Sequence, residues 1–372
     1  MLDLRAAAHG VRLTLSRGRV TLRQVATLLL AAVAFWALYV AMRLGQLADD
    51  LFFRGYRRQP VRQPLFIVAT PRSGTTFLHQ LLCLDSEQFT FFRTWQTLLP
   101  AVSLYKLVRL LAAADGLALR LLPRLRRWLD SHVLTGWKNI HPIRFAGAEE
   151  DEAVFVYTLH TPALYLLFPF VDELDGLQFA DDLPPARRRR LMAFYRGTVQ
   201  RHLYASGGGR TLLSKNVLST GRLTSLMETF PDARFIFLMR DPYHTIPSLL
   251  SFFHAIWQVH SPDIDKDSAE TQALAEMAFD YYRTIATAGA ELPPERHLYV
   301  DYAALVDDPE GTVLSIYDHF GLQASAAFRR RLRREAEASR EYESRHDYSL
   351  QEYGLDAETV DCKLGHLSRK VR

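Results

Sequence analysis

The stretch "PLFIVATPRSGTTFLHQLL", residues 64–82, constrains the fold more than any other part of this chain. Leu65 to Ala69 is an unbroken apolar run of strand length, the pattern of a strand buried on both faces of a parallel sheet. It stops at Pro71-Arg72-Ser73-Gly74-Thr75-Thr76 and resumes with Phe77, Leu78, Leu81 and Leu82 on one helical face. A strand, a tight loop of small residues and a helix aim successive backbone N–H groups and the positive helix end at one point, which is an anion cradle. Arg72 adds a fixed charge, Gly74 permits close backbone approach, and Thr75 and Thr76 add hydroxyl donors.

The rest of the chain repeats the alternation. "TLLS" (211–214), "RFIFLM" (234–239) and "HLYVDY" (297–302) read as strands. Helical patterns lie near 221–229, 243–257, 268–289 and 309–320, with a leucine- and arginine-rich helical region at 95–135 that could cap the site. Strands separated by helices predict an α/β fold, a P-loop-like three-layer α/β/α arrangement around a central parallel sheet. Loop signals at 181–190, 206–210 and 291–295 are too short to be linkers. Arg187 to Arg190 read as a solvated helix face. The expected organisation is an N-terminal region, 1–62, and one catalytic domain, 63–372.

The N-terminal region carries "VATLLLAAVAFWALYVAM", residues 25–42, without a charge. It is just long enough for most of a bilayer core of about 30 Å at roughly 1.5 Å per residue. Arginines flank both ends, Arg5, Arg12, Arg17, Arg19 and Arg23 before it and Arg43, Arg54, Arg57, Arg58 and Arg62 after it. A single-pass anchor and a helix lying in the membrane surface both fit, and orientation stays open.

The net charge of +4 is too weak to indicate nucleic acid and suits a basic pocket for an anionic small molecule. Cys83 and Cys362 lack partners at metal-ligand spacing, so no metal site is expected. Of 45 basic residues six are lysine, which makes Lys215, directly after a strand, conspicuous. Set against the triphosphate loop G-x-x-x-x-G-K-[ST], Ala69 stands at the first glycine and Thr75 at the lysine. Only Asp241, after Arg240, ends a strand with an acid that could serve magnesium. A sulfuryl group in transfer carries less negative charge than a phosphoryl, so arginine and backbone donors suffice for it. Arg240 itself leaves a strand at its carboxyl end, where ligands of open α/β sheets sit.

On "PRSGTTFL" and "FPDARFIFLMRDPYHTIPSLLSF" (230–252), the chain resembles the sulfotransferases that use 3′-phosphoadenosine 5′-phosphosulfate (PAPS). The similarity is to the branch with arginine in the loop, which includes tyrosylprotein sulfotransferases and bacterial relatives. It implies that Arg72, Ser73, Gly74, Thr75 and Thr76 hold the 5′-phosphosulfate, and that Arg240 and Ser248, eight positions apart, bind the 3′-phosphate. "LLSKNVLST" (212–220) resembles the family's Lys-Asn-Pro segment with Val217 at the proline; it implies that Lys215 stabilises the leaving phosphate. "VDYAALVDDP" implies that Tyr302 lies near the adenine, and "HDYSLQEYGLDAETV" (346–360) resembles the C-terminal segment of bacterial members.

Transfer to a hydroxyl needs a base. Where the tyrosylprotein branch has a glutamate, this chain has Arg93 and Gln96. The replacement is expected in "HPIRFAGAEEDEAVF" (141–155), with Glu150 or Glu152 ahead of His141, although carboxylates there would also complement a helix dipole. The expected activity is sulfuryl transfer from PAPS to a hydroxyl acceptor, plausibly lipid or membrane-delivered. The alternatives are a catalytically silent nucleotide-binding membrane protein and a P-loop kinase or NTPase. The excess of arginine over lysine hints at a bacterial source, in which the catalytic domain would face the cytoplasm.

Overall fold

The computed structural model describes residues 2–17, 20–118, 147–174, 176–339, 349–365 and 367. Its centre is a parallel sheet of β1 (Leu65–Val68), β2 (Phe89–Thr90), β3 (Thr211–Lys215), β4 (Arg234–Met239) and β5 (His297–Asp301), in the order β2-β3-β1-β4-β5. β1 pairs with β3 on one side (Leu65 opposite Leu213) and with β4 on the other (Leu65 opposite Arg234).

Strand periodicity divides the core into two layers. Leu65 and Ile67 point into one, with Ile236, Leu238 and Val300, against Leu78, Leu81 and Leu82 of the loop-following helix. Phe66 and Val68 point into the other, with Phe235 and Phe237, against the helices Pro185–Ala205, Pro242–His260 and Ala269–Ala288. β1, and β4 after Arg234, are apolar throughout because both their faces are covered. The three-layer expectation is met.

Boundaries differ in detail. The last predicted strand ends at Asp301, whose side chain accepts from Ala303 N and starts the helix Tyr302–Asp307. The loop signal at 181–190 contains a helix start, since Pro185 opens Pro185–Ala205 and Arg187 to Arg190 lie on its first turns. Strand β2, two residues long, has no periodicity to read. The 95–135 region resolves into a short helix α4 (Thr94–Leu98) and α5 (Val102–Ala118); residues 119–135 and His141 lie outside the described residues.

Two helices precede the sheet, α1 (Leu4–Arg17) and α2 (Leu22–Phe52). α2 contains the apolar run and extends it by three residues before it and by ten after it. Thr21 caps it, its side chain accepting from Gln24 N.

Candidate active site

Because β1 lies between β3 and β4, the loop at its carboxyl end is flanked by the ends of both neighbours. Ile67 is level with Lys215, and β4 ends at Met239, one residue before Arg240. The helix after the loop is α3 (Thr75–Cys83), with Gly74 at its N-cap in the left-handed region, φ 83°. A β-carbon on Gly74 would fall 2.2 Å from the Tyr302 ring, so space and backbone both require glycine here. Arg72 also has positive φ, 74°, a conformation that costs a non-glycine residue of order 1 kcal/mol and is typical of ligand clamps.

The residues expected at the two ends of the donor nucleotide form one cluster. Arg72 Nε donates to Ser248 Oγ at 3.1 Å, and Arg240 Nη1 donates to the Arg72 carbonyl at 2.8 Å. The Arg240 guanidinium lies 4.6 Å from the centre of the Tyr302 ring. Tyr282 donates to the Arg240 carbonyl, and Ser73 is buried beside the same tyrosine. Asp241, the one acid that a metal-dependent reading could use, instead caps Pro242–His260 by accepting from Tyr243 N.

Lys215 is 2% exposed, at the end of β3. Its ammonium donates to Thr76 Oγ1 at 3.2 Å and pairs with Glu150 Oε1 at 2.7 Å. Thus a scarce lysine, a loop hydroxyl and a carboxylate converge on one edge of the cradle. Glu150 is brought there by backbone pairing: Glu149 N donates to the Phe92 carbonyl, Thr94 N donates to the Gly147 carbonyl, and Arg93 bridges Ala148. Gln96 is spent locally, its Oε1 accepting from Arg93 N at the start of α4.

The acidic segment separates its members sharply. Glu152 is buried and saturated: Arg222 donates to both its oxygens at 2.7 and 3.1 Å, Asn216 Nδ2 donates at 2.7 Å, and Thr161 adds a short contact. Asp151 accepts from Ser214, Asn216 and Tyr195. Burial pushes the Asp151 carboxyl up to about 6, against the lowering effect of those donors. Asn216 therefore ties the segment to the strand that carries Lys215, which explains the Lys-Asn pair in chemical terms. Arg222, at 1% exposure, also packs its guanidinium 3.8 Å from the Phe155 ring centre.

His79 on α3 is the nearby imidazole that the sequence reading passed over. Burial, reinforced by the Lys215 charge, pushes its pKa down to about 3, so it stays neutral and is too weak a base to hold a proton near neutrality.

Residues 64–326 match the Sulfotransferase family. The chain belongs to that family. This sulfotransferase is 28% identical over 302 residues to the omega-hydroxy-beta-dihydromenaquinone-9 sulfotransferase Stf3 of Mycobacterium bovis, covering 79% of this chain and 70% of the relative. The same figures hold for Stf3 of Mycobacterium tuberculosis. Among solved structures, sulfotransferase STF9 from Mycobacterium avium superposes with a TM-score of 0.77 at 21% identity, covering all of this chain and 92% of the other. STF1 from Mycobacterium tuberculosis gives 0.69 at 19%, covering 97% and 91%. Those two establish the fold of the sulfotransferase.

Arg222, Tyr195, Ser214 and Thr161 were not found from sequence. Arg222 and Glu152 are 70 positions apart, and of the four only Ser214 falls in a short motif, "LLSKNVLST", where it is neighbour to Lys215. The only local signal was the acidic segment itself.

Proposed function

We propose that this sulfotransferase takes the sulfuryl group of PAPS and places it on the hydroxyl of a lipid-like acceptor. The observation that carries the reading is Lys215, buried between Thr76 of the anion cradle and the Glu150 carboxylate. Arg72 and the amides of residues 73–76 hold the 5′-phosphosulfate, and Arg240 with Ser248 takes the 3′-phosphate. Tyr302 keeps Gly74 and Arg240 together at the nucleoside side. The donor fits this set because a left-handed glycine, two arginines and a helix N-terminus are anion ligands that need no lysine in the loop.

When bound, PAPS supplies a sulfuryl group joined to a good phosphate leaving group. Glu150 accepts the acceptor's hydroxyl proton as the oxygen–sulfur bond forms in line with the bond that breaks. Lys215 turns from Glu150 toward the bridging oxygen and stabilises the charge that the departing adenosine 3′,5′-bisphosphate acquires. Glu152 does not take part in proton transfer; it is a positioning residue that holds the segment carrying Glu150. The Stf3 relatives are named for a hydroxylated menaquinone, and a hydroxylated isoprenoid is accordingly the acceptor class proposed here.

The test is transfer of radiolabelled sulfate from PAPS to an organic-extractable hydroxylated isoprenoid. The wild-type protein is expected to label it, and Lys215→Ala to lose roughly 10²–10³-fold in rate. Equal labelling by both proteins would remove Lys215 from the reaction.

A further inference from the structure

The apolar run of α2 does not stand free of the catalytic domain. Gln24, Leu28, Phe35, Tyr39, Met42, Gln46 and Asp49, at spacings of three, four or seven residues, form one face packed on the domain. At one end Gln24 Nε2 donates to Ser261 Oγ at 3.2 Å. Midway, Phe35 and Tyr39 lie 6.2 and 6.4 Å from the ring of Tyr157, just beyond the helix Glu152–Val156 of the acidic segment. At the other end the Asp49 carboxylate accepts from Val102 N, Ser103 N and Arg201 Nε. From Gln24 to Asp49 this seam is about 38 Å long at roughly 1.5 Å per residue. A hydrocarbon core is only about 30 Å thick. If α2 crossed it, the polar domain would have to enter the bilayer with it.

The opposite face of α2 is apolar and uncovered: Leu29, Leu30, Val33, Trp36, Val40 and Leu44 are all exposed, Leu30 at 71%. α5, which packs on α2 at Gly45, adds exposed Leu107, Leu110 and Leu111. All but three of the exposed large hydrophobic side chains among the described residues, the exceptions being Val259, Tyr299 and Val306, lie on α1, the turn after it, α2 and α5. Exposed arginines stand at both ends, Arg23 at one and Arg43, Arg54 and Arg58 at the other. The aspartates there are already engaged, Asp49 with Arg201 and Asp50 with Arg57 and Arg201, so the rim remains positive.

We infer that α2 and α5 form a monotopic docking surface for an anionic bilayer, with α2 lying in the plane of one leaflet. An apolar helix face rimmed by arginines binds such a surface by burying its side chains at the acyl boundary while the guanidinium groups meet anionic head groups. Its contact with Tyr157 sets the membrane against the segment that carries Glu150. The surface acts whatever reaction the site performs, so its test is read without turnover.

The experiment is flotation of the full chain with phosphatidylcholine vesicles, with and without phosphatidylglycerol. Co-flotation is expected with the anionic vesicles and extraction by alkaline carbonate. A Leu30→Glu/Val33→Glu variant should lose at least tenfold in vesicle partition and keep the wild-type thermal midpoint, both side chains being solvent-facing. Resistance to carbonate would mean a crossing helix. A soluble dimer split by the double variant would mean that a second copy covers the face, and unchanged partition of the variant would mean that the face is not used; each overturns the inference.

Discussion

Glu150 and Glu152 are two positions apart and carry equal formal charge, yet their surroundings differ. Glu150, 21% exposed, is paired with a lysine, while Glu152 has every lone pair engaged by Arg222, Asn216 and Thr161. Breaking such a buried pair from one side costs about 3–5 kcal/mol, so loss of activity on changing Glu152 would report misplacement of Glu150 as much as chemistry. Asp151 between them leaves a signature in the pH dependence of folding. Its folded pKa of about 6 lies above the ordinary value of 3.8, so its stabilising contribution is complete below about pH 4 and is lost as pH rises through 6. The change is roughly 3 kcal/mol at about 1.4 kcal/mol per pKa unit. The thermal midpoint of wild type should therefore fall relative to that of Asp151→Asn as pH rises from 4 to 7, since only the wild type titrates there; parallel curves would contradict this.

At the scale of elements, function follows from the sheet order β2-β3-β1-β4-β5, which sets Lys215 on one side of the loop and Arg240 on the other. Arg240→Ala is expected to weaken binding of adenosine 3′,5′-bisphosphate by roughly 10- to 100-fold, as loss of a charged hydrogen bond of about 1.5–3 kcal/mol implies, and to leave adenosine 5′-phosphate nearly unaffected. Calorimetric titration with both nucleotides checks it, and equal losses would mean that Arg240 only props the loop. Strand β1 and all of β4 after Arg234 are buried and apolar, which made them legible; β3 and β5 were read from shorter apolar stretches, Leu212–Leu213 and Leu298–Val300, beside polar Thr211, Ser214, Lys215, His297 and Asp301. The loop was legible because its chemistry lies within six consecutive residues. The network beneath it was not: Ser214, Asn216 and Arg222 meet Asp151 and Glu152 only after β3 and the acidic segment have been brought together. The helix start at Pro185 was hidden by two prolines, which read as a break and here supply the first turn.

For the molecule as a whole, the apolar helix and the active site are parts of one body. α2 rests on Tyr157, close to the acidic segment, and reaches α5 through Asp49, so its apolar face, the carboxylate and the anion cradle are mechanically joined. Such a layout suits an acceptor whose tail stays in the bilayer while its hydroxyl reaches Glu150. The measurement that tests the account most directly is single-turnover sulfuryl transfer by Glu150→Gln, run beside titration of the same variant with adenosine 3′,5′-bisphosphate. The account predicts a rate lower by roughly 10²–10⁴-fold with nucleotide affinity unchanged. A rate equal to that of wild type would contradict it and remove Glu150 from the reaction.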